Sequence, residues 1–309
     1  MPKPTGSLID WKADRTQSTT GLHMAWESAG REDAPTIVLI AGLACQLTLW
    51  HDDFCLPLLQ LGYRLIRFDN RDVGLTDEHP AYQPASIPFT FLKNRFGVGT
   101  RSMYTLETLA DDALGLITAL GLEKPHLVGI SMGGMIAQIM AAKAAQKIGK
   151  LVLLMTGTNQ RDLPPPAVKV MWSMFMRKPR SDSEQDVVLH TERVMRIIGS
   201  RAYPTDRETL RKRIQAAYRR AFHPLGIIRQ THCVVASGSI AHFTRVIAVP
   251  TLIVHGTKDR LLKPACAIRL EKLIAGSKLH FIPGLAHDLP EQLSQTFAGL
   301  IHAHLQTSD

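Results

Sequence analysis

The stretch Gly129-Ile130-Ser131-Met132-Gly133-Gly134 leaves this chain few ways to fold. A short β-type run, Pro125-His126-Leu127-Val128, leads into it, and Met135-Ile136-Ala137-Gln138-Ile139-Met140-Ala141-Ala142 leads out as helix. The G-x-S-x-G spacing predicts a sharp strand-to-helix turn that strains the serine and exposes its hydroxyl above a sheet. The glycines two residues to either side leave room for the crowded backbone and the close approach of helix to strand.

The flanking sequence alternates strands with helices, which points to a mostly parallel sheet with right-handed crossovers. Leu22–Glu27 alternates weakly, and Thr36–Ile40 is a continuous β-branched run of the kind covered on both faces. A helix is predicted over about 47–61, then a strand at Arg64–Phe68. Apolar residues at 106, 109, 113, 116, 117 and 120 make one helical stripe, ended by Gly121. Further strands fall at 151–155, 249–256 and 278–282, and further helices at 264–274 and 290–305. Residues 1–20 are polar and match no element. Residues 77–104 carry three prolines after position 79, and their aromatics Tyr82, Phe89, Phe91 and Phe96 either line a pocket entrance or pack a loop onto the domain.

Between about 158 and 245 helix patterns replace strands, which divides the chain into core 1–157, helical insertion 158–245 and core 246–309. Ala167–Met176 is apolar nearly all round, as expected over a pocket or packed on the core. A second helix is predicted to begin with a capping box at Thr205-Asp206-Arg207-Glu208. It puts Leu210, Ile214, Ala217 and Ala221 on one face, and Arg207, Arg211, Lys212, Arg213, Arg219 and Arg220 on what reads as a solvated face.

The net charge of +9 comes with no long basic tail and no nucleic-acid module, so a basic surface is expected rather than a nucleic-acid partner. No apolar run approaches the roughly 20 residues of a membrane span. The first residues lack an apolar signal region, so the expected location is cytoplasmic. Cys45, Cys55, Cys233 and Cys266 are scattered without C-x-x-C spacing, and no H-E-x-x-H occurs. Reduced thiols, no metal and no cofactor are expected, with a small-molecule partner and a monomer or homodimer.

A serine hydroxyl needs a general base within hydrogen-bond reach and a group that orients the base. His287 follows the last core strand in Pro283-Gly284-Leu285-Ala286-His287 and is the expected base. Asp259, directly after the strand ending at His255, is the expected acid. Asp162 lies too far beyond its strand, and Asp288 is too near His287 to face its ring. Backbone N–H groups of Met132 and Leu43 are the expected donors to a developing oxyanion.

From about residue 22 to 305 the chain resembles the α/β-hydrolase fold superfamily. Ile40-Ala41-Gly42-Leu43 resembles that family's His-Gly oxyanion loop, with Ala41 in place of the usual histidine. Phe68-Asp69-Asn70-Arg71-Asp72-Val73-Gly74-Leu75-Thr76 is similar to the D-N-R-D-x-G variant of bacterial aclacinomycin-methylesterase-like hydrolases, with Asp69 and Arg71 as loop supports. The resemblance implies an α/β-hydrolase fold with a mostly parallel sheet, flanking helices and a helical cap. It also implies a serine hydrolase cleaving carboxylic esters through an acyl-enzyme. Dehalogenases and epoxide hydrolases of the family attack with aspartate and are excluded by Ser131. Lactonase, thioesterase, C–C bond hydrolase and perhydrolase chemistry share the same three residues. A lyase using them for proton transfer, a ligand-binding receptor on the same fold and a basic protein with an anionic partner are further alternatives. Met171, Trp172 and Phe175, with Met174 and Met176, are the expected pocket for a small to medium apolar substrate.

Overall fold

The computed structural model describes residues 8–80, 87, 90 and 102–307. Tyr82, Phe89, Phe91 and Phe96 lie outside the described residues. Eight strands form one sheet: β1 (Lys12–Gln17), β2 (His23–Ala29), β3 (Thr36–Ile40), β4 (Arg64–Phe68), β5 (His126–Ile130), β6 (Leu151–Leu154), β7 (Thr251–Gly256) and β8 (Lys278–Ile282). Their spatial order is β1-β2-β4-β3-β5-β6-β7-β8. Among the described residues only the β1–β2 and β2–β4 pairings are antiparallel; from β4 to β8 every pairing is parallel.

The helices are α1 (Asp52–Gln60), α2 (Leu106–Ala119), α3 (Met132–Lys143), α4 (Val168–Met171), α5 (Glu184–Ile198), α6 (Arg207–Arg220), α7 (Pro224–Ser237), α8 (Ala241–Thr244), α9 (Ala265–Leu273) and α10 (Ser294–Leu305). They cover both faces of the sheet, so even a wholly buried strand sends alternate side chains to two cores. Val38 and Ile40 pack with α2 and α3 on one side. Ile37 and Leu39 pack on the other with Phe54 of α1 and Phe297 of α10. Helices α4–α8 all fall between β6 and β7.

Four local readings change. Residues 12–17, unplaced by pattern, are the outermost strand; almost every side chain is exposed, so no apolar alternation marks it. The helix predicted over 47–61 is broken. Leu47–Leu49 is a 3-10 turn whose first N–H goes to Asp69 Oδ1, and α1 starts only after His51 at ψ 161°. Helix α6 is capped by Asp206, whose carboxylate accepts the Thr209 N–H at 2.9 Å, one residue later than the predicted box. The 167–176 helix is one α turn followed by a π turn at Trp172–Met176.

Candidate active site

The carboxyl ends of β3, β5, β7 and β8 converge on one cavity. Ser131 sits between β5 and α3 at φ 56° and ψ −121°, a backbone conformation unusual for any residue but glycine. Neighbouring structure holds it there. Its N–H pairs with the Leu154 carbonyl at 3.0 Å, and its carbonyl accepts Thr156 Oγ1 at 2.6 Å and the N–H groups of Gly134 and Met135. Gly133 is required: a Cβ there would stand 2.0 Å from the Ile40 carbonyl oxygen. The loop after β3 also passes close by, since a Cβ on Gly42 would lie 3.3 Å from Ser131 Cβ.

Asp259 and His287 are brought together. Asp259 follows β7 and His287 follows β8, and His287 Nδ1 is 2.7 Å from Asp259 Oδ2. The carboxylate's other oxygen accepts the N–H groups of Leu261 and Leu262, at 2.8 and 2.9 Å, which fixes its plane. Both residues are nearly buried. Burial pulls the His287 pKa down, but the Asp259 charge and its hydrogen bond outweigh it, so His287 stands above the ordinary histidine value. Oγ of Ser131 and Nε2 of His287 are not hydrogen-bonded to each other, though both residues line the cavity; contacts of this kind tighten as a reacting carbonyl is bound.

The neighbouring acid and histidine have other work. Asp288 accepts the N–H and hydroxyl of Ser200, turning it away from the ring. His255 Nε2 donates to the Leu262 carbonyl at 2.7 Å, and burial holds its pKa low. Cys45 and Cys266 line the same cavity, but burial pushes both thiols to about 11, so at neutral pH neither is a thiolate. All four cysteines are free.

Two backbone N–H groups beside Ser131, those of Leu43 and Met132, have no acceptor among the described residues. Met132 opens α3, where first-turn N–H groups lack helical partners and the helix dipole is positive. The cavity encloses about 1040 Å³. Met171, Phe175, Met195, Leu210, Ile214 and Phe222 supply much of its apolar wall. Trp172 does not line it; the π turn carries the indole outward, where it is 58 % exposed, so one of the three predicted pocket residues is corrected.

The basic run of α6 is exposed at Arg207, Lys212 and Arg219, as expected of a solvated face, but its arginines are paired. Arg207 and Arg211 clasp buried Glu192 from α5, each at 2.7 Å. Arg213 meets Asp53 of α1, and Arg219 meets Glu184. Arg220 reaches Gln46 and fully buried Asp69 at 2.8 and 2.7 Å. Asp69 also accepts the N–H groups of Leu47 and Leu75, and burial still raises its pKa against these partners. Arg71 forms a two-pronged pair with Asp112, as Arg229 of α7 does with Asp72. Thr156, Gln230 and Arg220, which hold the loops around Ser131, carry no local motif and were missed by sequence reasoning.

Among the described residues no cluster of His, Cys, Asp or Glu could hold a metal ion, and no helix is long and apolar enough to cross a membrane. A family profile described as the alpha/beta hydrolase fold matches residues 35–292. The chain is 24% identical to the rhodomycin D methylesterase DauP of Streptomyces sp. (strain C5), over 89% of its own length and 92% of the relative's. An esterase from Exiguobacterium antarcticum superposes with a TM-score of 0.74 at 22% identity, covering 96% of this chain and 100% of that one. An enol-lactonase from Burkholderia xenovorans LB400 superposes at 0.72 and 21% identity, covering 95% and 100%.

Proposed function

The chain belongs to the α/β-hydrolase fold family, and from that premise we propose that it hydrolyses carboxylic esters through an acyl-enzyme on Ser131. The observation that carries this reading is the 2.7 Å His287–Asp259 pair, whose histidine lines the same cavity as a strained serine. Ser131 Oγ attacks the ester carbonyl while His287 Nε2 takes its proton. Asp259 holds the imidazole in the tautomer with its proton on Nδ1 and stabilises the imidazolium. The oxyanion is received by the N–H groups of Leu43 and Met132. His287 then gives its proton to the leaving alcohol oxygen, the carbonyl re-forms, and the acyl group remains on Ser131. Water, deprotonated by the same histidine, attacks the acyl-enzyme and releases the acid.

Residues 158–245 act as a cap, because α5, α6 and the π turn supply the cavity wall facing Ser131. A volume of about 1040 Å³ lies at the upper end of small-molecule sites, so the substrate is a bulky apolar ester rather than a minimal one. Methionines at 171, 174, 176 and 195 give that wall a deformable surface.

Replacing Ser131 with alanine tests the reading. Hydrolysis of a p-nitrophenyl ester and labelling by a fluorophosphonate should both vanish with circular dichroism unchanged. Hydrolysis retained in Ser131→Ala would sink the assignment. Lactone, thioester and C–C substrates assayed beside an ester series decide which acyl group the cavity accepts.

A further inference from the structure

The loop that carries Leu43 is pinned at several points on either side of the Leu43 N–H. Asn70 Nδ2 donates to the Ala41 carbonyl at 3.2 Å, Cys45 N–H to the Gly42 carbonyl at 3.2 Å, and Leu47 N–H to Asp69 Oδ1 at 2.7 Å. Ala44 stands at φ 60°, where a Cβ is crowded against the backbone. Its N–H is taken from far away in sequence: Oε1 of Gln230, on α7, accepts it at 2.9 Å. At its other end Gln230 Nε2 donates to the Arg71 carbonyl at 2.8 Å. Only one orientation of the amide serves both partners, because one needs an acceptor and the other a donor. Gln230 is fully buried and does not line the cavity among the described residues. One side chain from the insertion therefore ties the loop after β3 to the loop after β4.

Resting on the reading of Ser131 as an acyl-forming nucleophile, we propose that Gln230 is a positioning residue for the oxyanion site. It holds Ala44 in its left-handed conformation and so keeps the adjoining Leu43 N–H aimed at the oxygen of the carbonyl under attack. Without it, the half-buried Ala44 N–H loses its protein acceptor, and the backbone gains by rotating towards an ordinary conformation. A donor serves an oxyanion only over a narrow range of distance, so a small shift of this loop weakens both acylation and deacylation.

The test is steady-state hydrolysis of one p-nitrophenyl ester by the full chain and three variants. Gln230→Ala should lower kcat about 10- to 100-fold with KM changed less than about 3-fold, the split expected when an interaction made in the transition state is lost. Gln230→Glu supplies a readout that a loosened fold does not. Burial favours the neutral acid, which, like the amide, has one donor and one acceptor. Its kcat relative to wild type should fall as pH rises and the carboxyl ionises against the Arg71 carbonyl. Ser237→Ala removes a different α7 bond to the core, the one accepting Leu106 N–H at 2.9 Å, and should leave kcat unchanged. A kcat for Gln230→Ala within about 2-fold of wild type, or a loss confined to KM, overturns the positioning role. If Gln230→Ala does not fold, a Gln230→Glu variant whose relative kcat is the same at every pH overturns it instead. A wild-type protein that neither hydrolyses the ester nor takes a fluorophosphonate overturns the reading of Ser131, and this role with it.

Discussion

His287 must be neutral to accept a proton, yet Asp259 stabilises its charged form. The rate should therefore rise with pH through an inflection above the usual histidine value of about 6.5. Asp259→Asn removes the charge that outweighs burial, so the inflection should move to lower pH. The plateau should drop by on the order of 10⁴-fold, because the wrong tautomer is then favoured. A pH–rate profile of the variant with an unmoved inflection would contradict the pairing. The same shift contributes to folding. A raised histidine pKa means that protonated His287 favours the native state, a contribution present below the unfolded pKa and lost as pH rises through the folded one. Ser131, Asp259 and His287 were legible because each lies within a few residues of the carboxyl end of a patterned strand. Gln230 was not, because its partners lie 186 and 159 residues away and nothing beside it marks the role.

Between elements, α3 closes tightly on β3. Gly133 lets the first turn of α3 lie on the backbone of Ile40 and Ala41, where an added Cβ would meet oxygen atoms at 2.0 and 2.6 Å. Neither contact is with a flexible side chain, so the helix itself has to move. Gly133→Ala should lower the urea midpoint by the equivalent of about 3 kcal/mol or more, within the range of severe backbone and packing lesions. An unchanged midpoint would show that the helix can lift without cost. The strands β3 and β6 were readable from continuous apolar runs, since burial on both faces leaves no polar positions. Strand β1 was not, because its only instruction is its hydrogen-bonded pairing with β2. The α6 cap shifted by one residue because Thr205 and Asp206 are both competent caps, and only the folded chain chooses between them.

Across the whole molecule, the net charge of +9 is not concentrated on α6 as an unpaired basic run. Arg207, Arg211, Arg213, Arg219 and Arg220 are each set against a carboxylate from another element. Their partners are distant in sequence, which is why the run read as an open basic face. A duplex-DNA filter-binding assay at about 0.15 M salt should show no retention, since nonspecific binding needs several uncommitted cations. Tight retention that collapses with added salt would overturn that expectation. The π turn that points Trp172 outward has an optical consequence. Trp50 is fully buried and Trp11 nearly so, while the Trp26 indole N–H is engaged with Thr16. A dissolved collisional quencher such as iodide therefore reaches Trp172 far more readily than the other three indoles. Emission from that ring reports, without any attached label, on the segment whose opposite side, at Met171 and Phe175, walls the cavity.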